Sequence, residues 1–142
     1  MKGLDTNVML RYIVKDDPHQ CAEAAAYIRT HCTSSSPGFI NRIVLCELVW
    51  VLETAYKFRR GEVARVVEMI LSTEEFLVEN PSEALSALQA YRDQGMDFSD
   101  ALIGCTNRSF GCEETASFDQ RAAQMTEFTL LGTARKPPQK RR

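Results

Sequence analysis

Apolar residues recur every three or four positions along much of this chain, the spacing that places them on one face of an α-helix. The stripe is clearest over residues 42–57 and 63–71, with Val44, Leu45, Leu48, Val49, Leu52 and Tyr56 in the first segment and Val63, Val66, Val67, Ile70 and Leu71 in the second. Further helices are predicted over residues 18–31, 80–95, 98–107 and 119–125. Asp17 before Pro18 and Asn80 before Pro81 are typical helix starts, because a capping side chain precedes a proline that suits the first turn.

Short apolar runs between the helical segments predict strands. They cover residues 39–40, 76–78, 115–118 and 128–131, and residues 1–10 are interpreted as a first strand that ends at Asp5, Thr6 and Asn7. Short strands that alternate with helices of this length are typical of a parallel sheet covered on both faces. The predicted fold class is therefore α/β, with three layers (α/β/α) and a central, mainly parallel sheet of about five strands.

Length and composition predict one globular domain followed by a tail. A chain of 142 residues, 44% of them hydrophobic, is of ordinary domain size and can bury a core without disulfides or metal staples. Residues 1–131 are assigned to this domain. Residues 132–142 contain Pro137, Pro138 and a run of basic residues that cannot form a core face, so they are predicted to be a basic, flexible C-terminal tail.

The cysteines and the N-terminus predict a cytoplasmic protein. Five cysteines are an odd number without C-x-x-C spacing, which favours neither a zinc site nor a disulfide framework. No apolar run approaches 18 residues, and the N-terminus reaches charged Lys2 and Asp5 too early for a secretory segment.

The charges divide into an acidic body and a basic tail. The formal net charge is −2, and the last eight residues hold five of the 17 basic residues and no acid, which leaves 12 basic and 19 acidic residues in the body. Binding to phosphates draws mainly on Lys and Arg, so an acidic body argues against a simple nucleic-acid-binding surface. Such a body can still act on phosphates if its carboxylates converge on divalent cations, which reverse the sign of the local charge.

Four acids are candidates for such a site. Asp5 ends the first predicted strand and Asp119 directly follows another, so both are expected at the carboxyl edge of the sheet, where ligands bind in open α/β folds. Asp100 lies in the first turn of a helix, with Asp97 three residues before it on the same face. Glu47 lies at the border of an apolar helical stripe, which predicts a partly desolvated carboxylate directed at a cleft.

Each acid also has an ordinary structural interpretation as a turn residue, a helix cap, half of a capping box or a partner in an ion pair. Separate structural roles do not explain why four acids are expected at one sheet edge, because carboxylates placed together repel each other unless cations bind them. All-oxygen sites favour Mg²⁺ or Mn²⁺. Such ions activate a water molecule to attack a phosphodiester, so no protein nucleophile is needed. This fits the chain, because its two histidines, His19 and His31, are expected on the surface and not in a catalytic site.

Four short motifs resemble those of the PIN-domain ribonucleases in order and spacing. They are Asp5-Thr6-Asn7-Val8, Glu47 inside an amphipathic helix, Phe98-Ser99-Asp100-Ala101-Leu102-Ile103 and Ser117-Phe118-Asp119. The resemblance covers residues 1–131 and is nearest to the VapC-type toxins of type II toxin–antitoxin pairs. It implies a PIN-like fold, Mg²⁺-dependent endoribonuclease activity with Mn²⁺ as a substitute, an RNA substrate, a homodimer, and a small VapB-like antitoxin that inserts a segment into the acidic groove.

The resemblance also implies roles for individual residues. The acidic quartet, assigned to both catalysis and metal binding, is matched by Asp5, Glu47, Asp100 and Asp119. The supporting positions are matched by Thr6 beside the first aspartate, Asn7 in the loop, Asp97 as a less regular acid, and Ser117 where threonine is frequent. The first strand is less β-branched than is common in the family, and Ser117 keeps the hydroxyl.

Three other functions are possible for a chain that begins with a strand and an aspartate. A metal-dependent phosphatase with a nucleophilic aspartate generally has a second acid two residues later, where this chain has Asn7. A phosphate-accepting receiver domain needs an acidic pair after the first strand, and Asp16 and Asp17 come too late. A catalytically silent PIN-like binding module is disfavoured, because idle carboxylates are unfavourable to keep together.

Two further features have open interpretations. Trp50 falls on the polar side of its helix, where either a partner or a neighbouring helix of the same chain can cover it. The segment Lys57-Phe58-Arg59-Arg60 and the tail either hold RNA outside the metal site or are solvated charges.

Overall fold

A computed structural model describes residues 1–124 and 127–132 of the chain. Six α-helices in this part are α1 (Thr6–Ile13), α2 (Pro18–His31), α3 (Arg42–Thr54), α4 (Arg60–Ser72), α5 (Pro81–Gln94) and α6 (Phe98–Ser109). The strands are β1 (Lys2–Gly3), β2 (Gly38–Ile40), β3 (Phe76–Val78), β4 (Thr115–Ser117) and β5 (Phe128–Leu130). One turn of 3₁₀ helix, Ala122–Gln124, lies between β4 and β5.

All strand pairs of the described residues are parallel. β2 lies in the centre of a three-stranded sheet with β1 and β3 on either side, and β4 pairs with β5 in a separate two-stranded sheet. The predicted α/β class and parallel pairing are confirmed. The five strands are divided between two sheets rather than joined in one, a detail that periodicity does not predict because it identifies strands but not their neighbours.

The N-terminal segment differs from the prediction. Only Lys2–Gly3 pairs with β2, and Thr6 begins helix α1. The interpretation of residues 1–10 as one strand is therefore wrong. Met9 and Leu10 are buried in the core from the helix, and a short apolar run of this kind fits a buried helix as well as a strand.

The other predicted elements are present with small shifts. Asp17 caps α2, since its carboxylate accepts a hydrogen bond from the Gln20 amide at 3.1 Å. α5 stops at Gly95, whose φ of 71° lies in the left-handed region that favours glycine. The predicted 119–125 helix is reduced to the 3₁₀ turn at 122–124. Met125, the last residue of that predicted helix, lies outside the described residues. So do residues 133–142, which form most of the predicted tail.

The core is built mainly from α3, α4 and α5 around β2. The predicted stripes of α3 and α4 provide several fully buried side chains, namely Leu45, Leu48, Leu52, Val63, Val67 and Ile70. Ile40, Tyr91 and Phe98 complete this cluster. Because burying one aliphatic side chain contributes about 1.5–3 kcal/mol, these stripes determine how α3 and α4 pack.

The cysteine and histidine side chains of the described residues do not come together in a metal site. All five cysteines are free, with Cys21, Cys32 and Cys105 buried, and both His19 and His31 are exposed as predicted. None of the helices in the described part of the chain has the length and hydrophobicity needed to span a membrane.

Candidate active site

The first part of the candidate site joins the start of α1 to the middle of α3. Asp5 occupies the N-cap position of α1, but its exposed carboxylate makes no capping hydrogen bond. The next residue, Thr6, is buried, and its hydroxyl donates to Oε1 of Glu47 at 2.5 Å. This bond holds Glu47 beside the segment that carries Asp5.

The second part is the N-terminal turn of α6. Asp97 is the N-cap, and its carboxylate accepts a hydrogen bond from the backbone amide of Asp100 at 3.2 Å. The ordinary interpretation of Asp97 as a helix cap is therefore confirmed. This bond uses the backbone of Asp100 and not its side chain, so the Asp100 carboxylate can make other contacts.

The third part is the turn after β4. The hydroxyl of Ser117 accepts a hydrogen bond from the amide of Asp119 at 2.9 Å, and Oδ1 of Asp119 accepts one from the amide of Arg121 at 2.9 Å. These two bonds fix the backbone on both sides of Asp119. The supporting role predicted for Ser117 stays a prediction, and its hydroxyl contacts the Asp119 backbone.

Asp100 and Asp119 meet although they are far apart in the chain. Burial raises the pKa of the Asp100 carboxyl above its ordinary value, and the negative charges of Asp97 and Asp119 and a hydrogen bond with Asp119 raise it further. The positive charge of Arg121 acts in the opposite direction. The site thus concentrates negative charge at Asp100, which a cation would relieve.

A groove of about 410 Å³ lies between α3 and α6, which carry Glu47 and Asp100. Glu47 lines it from α3, and Ser99, the neighbour of Asp100, lines it from α6. Cys46 lines the groove as well, and burial raises the pKa of its thiol, with Ser99 acting in the opposite direction. Glu47 and the Asp100 turn therefore border the same groove.

The four acids suit a hard divalent cation by their chemistry. All four offer carboxylate oxygens, and within the described residues none of them forms an ion pair with Lys, Arg or His. Their spacing is looser than in a closed site, because no three Asp, Glu, His or Cys side chains of the described part lie close enough to hold one metal ion. Of the four acids, Glu47 lines the groove between α3 and α6 and Asp5 lines a different one.

Two predicted residues lie in surroundings that differ from the expectation. Glu47 is exposed rather than partly desolvated, although it does line a cleft. Asn7 is exposed on the first turn of α1 and lines a second groove, and no hydrogen bond of its side chain to the loop is present among the described residues. Arg121 is a nearby basic residue that the sequence interpretation missed, and its position two residues after Asp119 is the available signal.

The open interpretations of Trp50 and of the basic segment are also resolved in part. Trp50 is 63% exposed, so no helix of the described residues covers it. Arg60 is not a free surface charge, because it donates to the carbonyls of Tyr91 and Met96 and its guanidinium stacks over the Tyr91 ring at 4.2 Å from the centroid.

A comparison with protein families identifies the fold. The model of the PIN domain matches residues 3–127. The chain belongs to the PIN domain family. Over 121 residues this PIN domain is 30% identical to a protein described as VapC ribonuclease from Aquifex aeolicus (strain VF5), and the match covers 85% of this chain and 89% of that relative. The resemblance to PIN-domain proteins is thereby confirmed over nearly the whole described chain.

Proposed function

We propose that this PIN domain is a Mg²⁺-dependent endoribonuclease that acts in the cytoplasm as the toxin of a type II toxin–antitoxin pair. The observation that carries the proposal is that Asp119, from a separate element, lies near enough to Asp100 to raise the pKa of its carboxyl, while neither acid forms an ion pair with a basic side chain among the described residues. The similarity to a protein described as VapC ribonuclease supports the choice of RNA as the substrate.

The proposed ligands of Mg²⁺, or of Mn²⁺ in its place, are Asp5, Glu47, Asp100 and Asp119. Since no three of the described acids are close enough to hold one ion, their carboxylates must turn toward a common point when the cation binds. The Asp5 carboxylate can rotate, because it is exposed and makes no capping hydrogen bond. Bound Mg²⁺ supplies positive charge at the scissile phosphate and activates water.

The remaining residues hold these ligands in position. Thr6 fixes one oxygen of Glu47 and leaves the other free, and Asp97 holds the turn that presents Asp100. Ser117 holds the backbone of Asp119. Partners of this kind typically contribute 10- to 100-fold to metal affinity or activity, so about that loss is expected when one of them is removed.

Cleavage of RNA by the purified chain tests the proposal. Wild-type protein should cut RNA when Mg²⁺ or Mn²⁺ is added and should stop when EDTA removes it. Asp5→Asn and Asp100→Asn should lose nearly all activity, whereas Asp93→Asn should keep it because Asp93 lies on the exposed face of α5. Cutting by both site variants at the wild-type rate would refute the proposal, and a chain without nuclease activity would favour the silent binding module.

We further propose that the antitoxin covers the groove between α3 and α6. This groove has apolar walls that include Leu102 and the exposed side chains of Ile43 and Ile103, and Glu47 lies at its border. An antitoxin segment bound here would bury apolar surface and block the proposed metal site at the same time.

Co-purification with the product of a neighbouring short reading frame tests this docking. Ile103→Asp should weaken the complex, because it places a charge in the apolar groove. Leu85→Asp is the matched control, since Leu85 is 46% exposed on α5 and does not line that groove. Equal loss of the partner in both variants would argue against this groove.

The family resemblance also supports a homodimer. Trp50 is the single tryptophan and is 63% exposed, so its fluorescence reports directly on whether a second chain covers it. If the dimer buries Trp50, emission should shift to the red on dilution as light scattering reports dissociation. A monomeric mass at all concentrations would contradict the dimer.

A further inference from the structure

A second groove, of about 520 Å³, lies between α1 and α2, and Asp5 forms part of its wall. It shares no lining residue with the groove between α3 and α6. Its volume lies within the range of small-ligand sites and accommodates a single nucleoside. A pocket that starts at a proposed metal ligand is well placed to hold the part of the substrate next to the reacting phosphate.

The course of the chain places Asp5, just before α1, and Tyr27, late in α2, toward the end of the groove away from the link between these helices. At the other end, close to the short link between the helices, Nε of Arg11 donates to Oε1 of Gln20 at 2.5 Å. From that contact α1 runs back five residues to its start, and α2 runs on seven residues to Tyr27. At a rise of about 1.5 Å per residue these distances are about 8 and about 10 Å, so in a hairpin of two antiparallel helices Tyr27 and the turn that carries Asp5 lie at similar distances from that contact.

The Tyr27 ring is available for a further contact. It packs against the ring of His31, with centroids 4.5 Å apart and an angle of 39° between the planes, yet 40% of the tyrosine remains exposed. It lines the groove together with Ala24 of the preceding turn. An exposed aromatic ring beside an apolar surface is the usual platform on which a nucleic-acid base stacks.

The remaining walls suit a flat ring with a polar edge. Leu4, Val8 and Ala24 provide apolar surface. The bond from Arg11 occupies the amide oxygen of Gln20, so the amide nitrogen of Gln20 is left to donate.

Two charged residues, Glu23 and Arg11, also line the groove. Glu23 can accept hydrogen bonds from base N–H groups, since its carboxylate is exposed beside His19 at 3.7 Å. The cation of the groove, Arg11, is paired with Asp16 at 3.6 Å and also donates to Tyr56. The groove therefore offers hydrogen bonds to a base edge rather than a free positive charge to a phosphate.

We propose that this groove binds one base of the RNA substrate, in the nucleotide next to the scissile phosphate. Tyr27 stacks on the face of the base, and Gln20 and Glu23 bond to its edge. The inference rests on the proposed nuclease function, because Asp5 is what places the groove beside the phosphate. Tyr27 is then a residue that determines substrate affinity and cleavage position.

Steady-state cleavage kinetics provide the first test. Tyr27→Ala should lower kcat/KM about 10- to 100-fold through a higher KM, with kcat nearly unchanged, because stacking on an aromatic ring contributes about that factor to binding. Tyr27→Phe keeps the ring and should behave like wild type. Phe110→Ala is the control, since Phe110 is 80% exposed at the end of α6, away from both grooves.

A binding measurement separates this inference from the nuclease proposal. In the inactive Asp100→Asn background, an RNA oligonucleotide that carries a fluorescent base analogue should be quenched on binding. The quenching should disappear when Tyr27→Ala is added, while circular dichroism stays unchanged.

Two results are decisive. Unchanged KM, cleavage position and quenching in the Tyr27→Ala protein would overturn the base site and leave the nuclease proposal intact. Quenching that depends on Tyr27 in a protein whose wild type cuts no RNA would reject the nuclease proposal and the placement of the base next to a scissile phosphate, and would leave the groove as a base-binding site only.

Discussion

The hydroxyl of Thr6 donates to Oε1 of Glu47 at 2.5 Å, and this bond joins two helices through residues 41 positions apart in the chain. Thr6 is buried, so a side chain of equal shape without the hydroxyl fits the same space. The bond therefore orients Glu47 without contributing much to packing.

Thr6→Val should reduce RNA cleavage about 10- to 100-fold and raise the Mg²⁺ concentration required, because Glu47 loses the donor that orients it. Thr6→Ser keeps the hydroxyl and should retain most activity. Magnesium titrations of the cleavage rate measure both effects. A Thr6→Val protein with the wild-type metal requirement would show that the bond only supports the fold.

Asp100→Asn should stabilise the metal-free protein while it abolishes activity. The substitution removes one charge from a partly buried position beside Asp97 and Asp119, so the melting temperature in EDTA should rise by about 4 °C, equivalent to about 1 kcal/mol. Adding Mg²⁺ should raise the melting temperature of wild type more than that of the variant, because ligand binding stabilises only the form that binds. Asp93→Asn, which lies outside the site, should show neither effect.

Arg60→Met should destabilise the fold by about 2 kcal/mol, since two carbonyl hydrogen bonds to a charged donor and the contact with the Tyr91 ring are lost. One of these carbonyls belongs to Met96, the residue before the Asp97 cap, so activity should fall as well. Urea unfolding measures the stability. Arg65→Met on the exposed face of the same helix is the control and should change stability by less than about 0.5 kcal/mol.

Glu83 should make stability depend on pH. The Ser109 hydroxyl, followed by Arg42, holds the pKa of Glu83 below its ordinary value in the folded state. A group with a lowered folded pKa contributes its full stability above the unfolded pKa and loses it as the pH falls through the folded value.

Glu83→Gln should therefore be less stable than wild type by about 1–3 kcal/mol at pH 7, and the difference should close as the pH falls below the ordinary range of glutamate. Urea unfolding at a series of pH values from 7 to 3 measures it. The exposed Glu74→Gln should give no such difference. A gap that is constant across this range would assign the effect to packing rather than to charge.

The elements that sequence predicted well are those with long periodic patterns. The stripes of α3 and α4 extend over three or more turns, and only one face of each helix can be buried, so their packing follows directly from the pattern. Helix α1 has eight residues and a short apolar run, which fits two kinds of element, and the prediction chose the wrong one. The division of β4 and β5 from the main sheet depends on long-range pairing that no local pattern contains.

The sequence predicts which residues form the candidate site but not how they are arranged in space. The motifs identify Asp5, Glu47, Asp100 and Asp119, and the roles of these acids stay a prediction. Distances between them depend on how separate elements pack, and so the Thr6 bond to Glu47 and the contact between Asp100 and Asp119 required coordinates. The groove between α1 and α2 likewise depends on how these two helices pack against each other.

Asp119 follows a strand of the small second sheet, which comes after every helix of the main core in the chain. Because synthesis proceeds from the N-terminus, a chain emerging from the ribosome exposes its core and three of the four acids before the last one. The proposed metal site therefore stays incomplete until Asp119 has emerged and β4 has paired with β5.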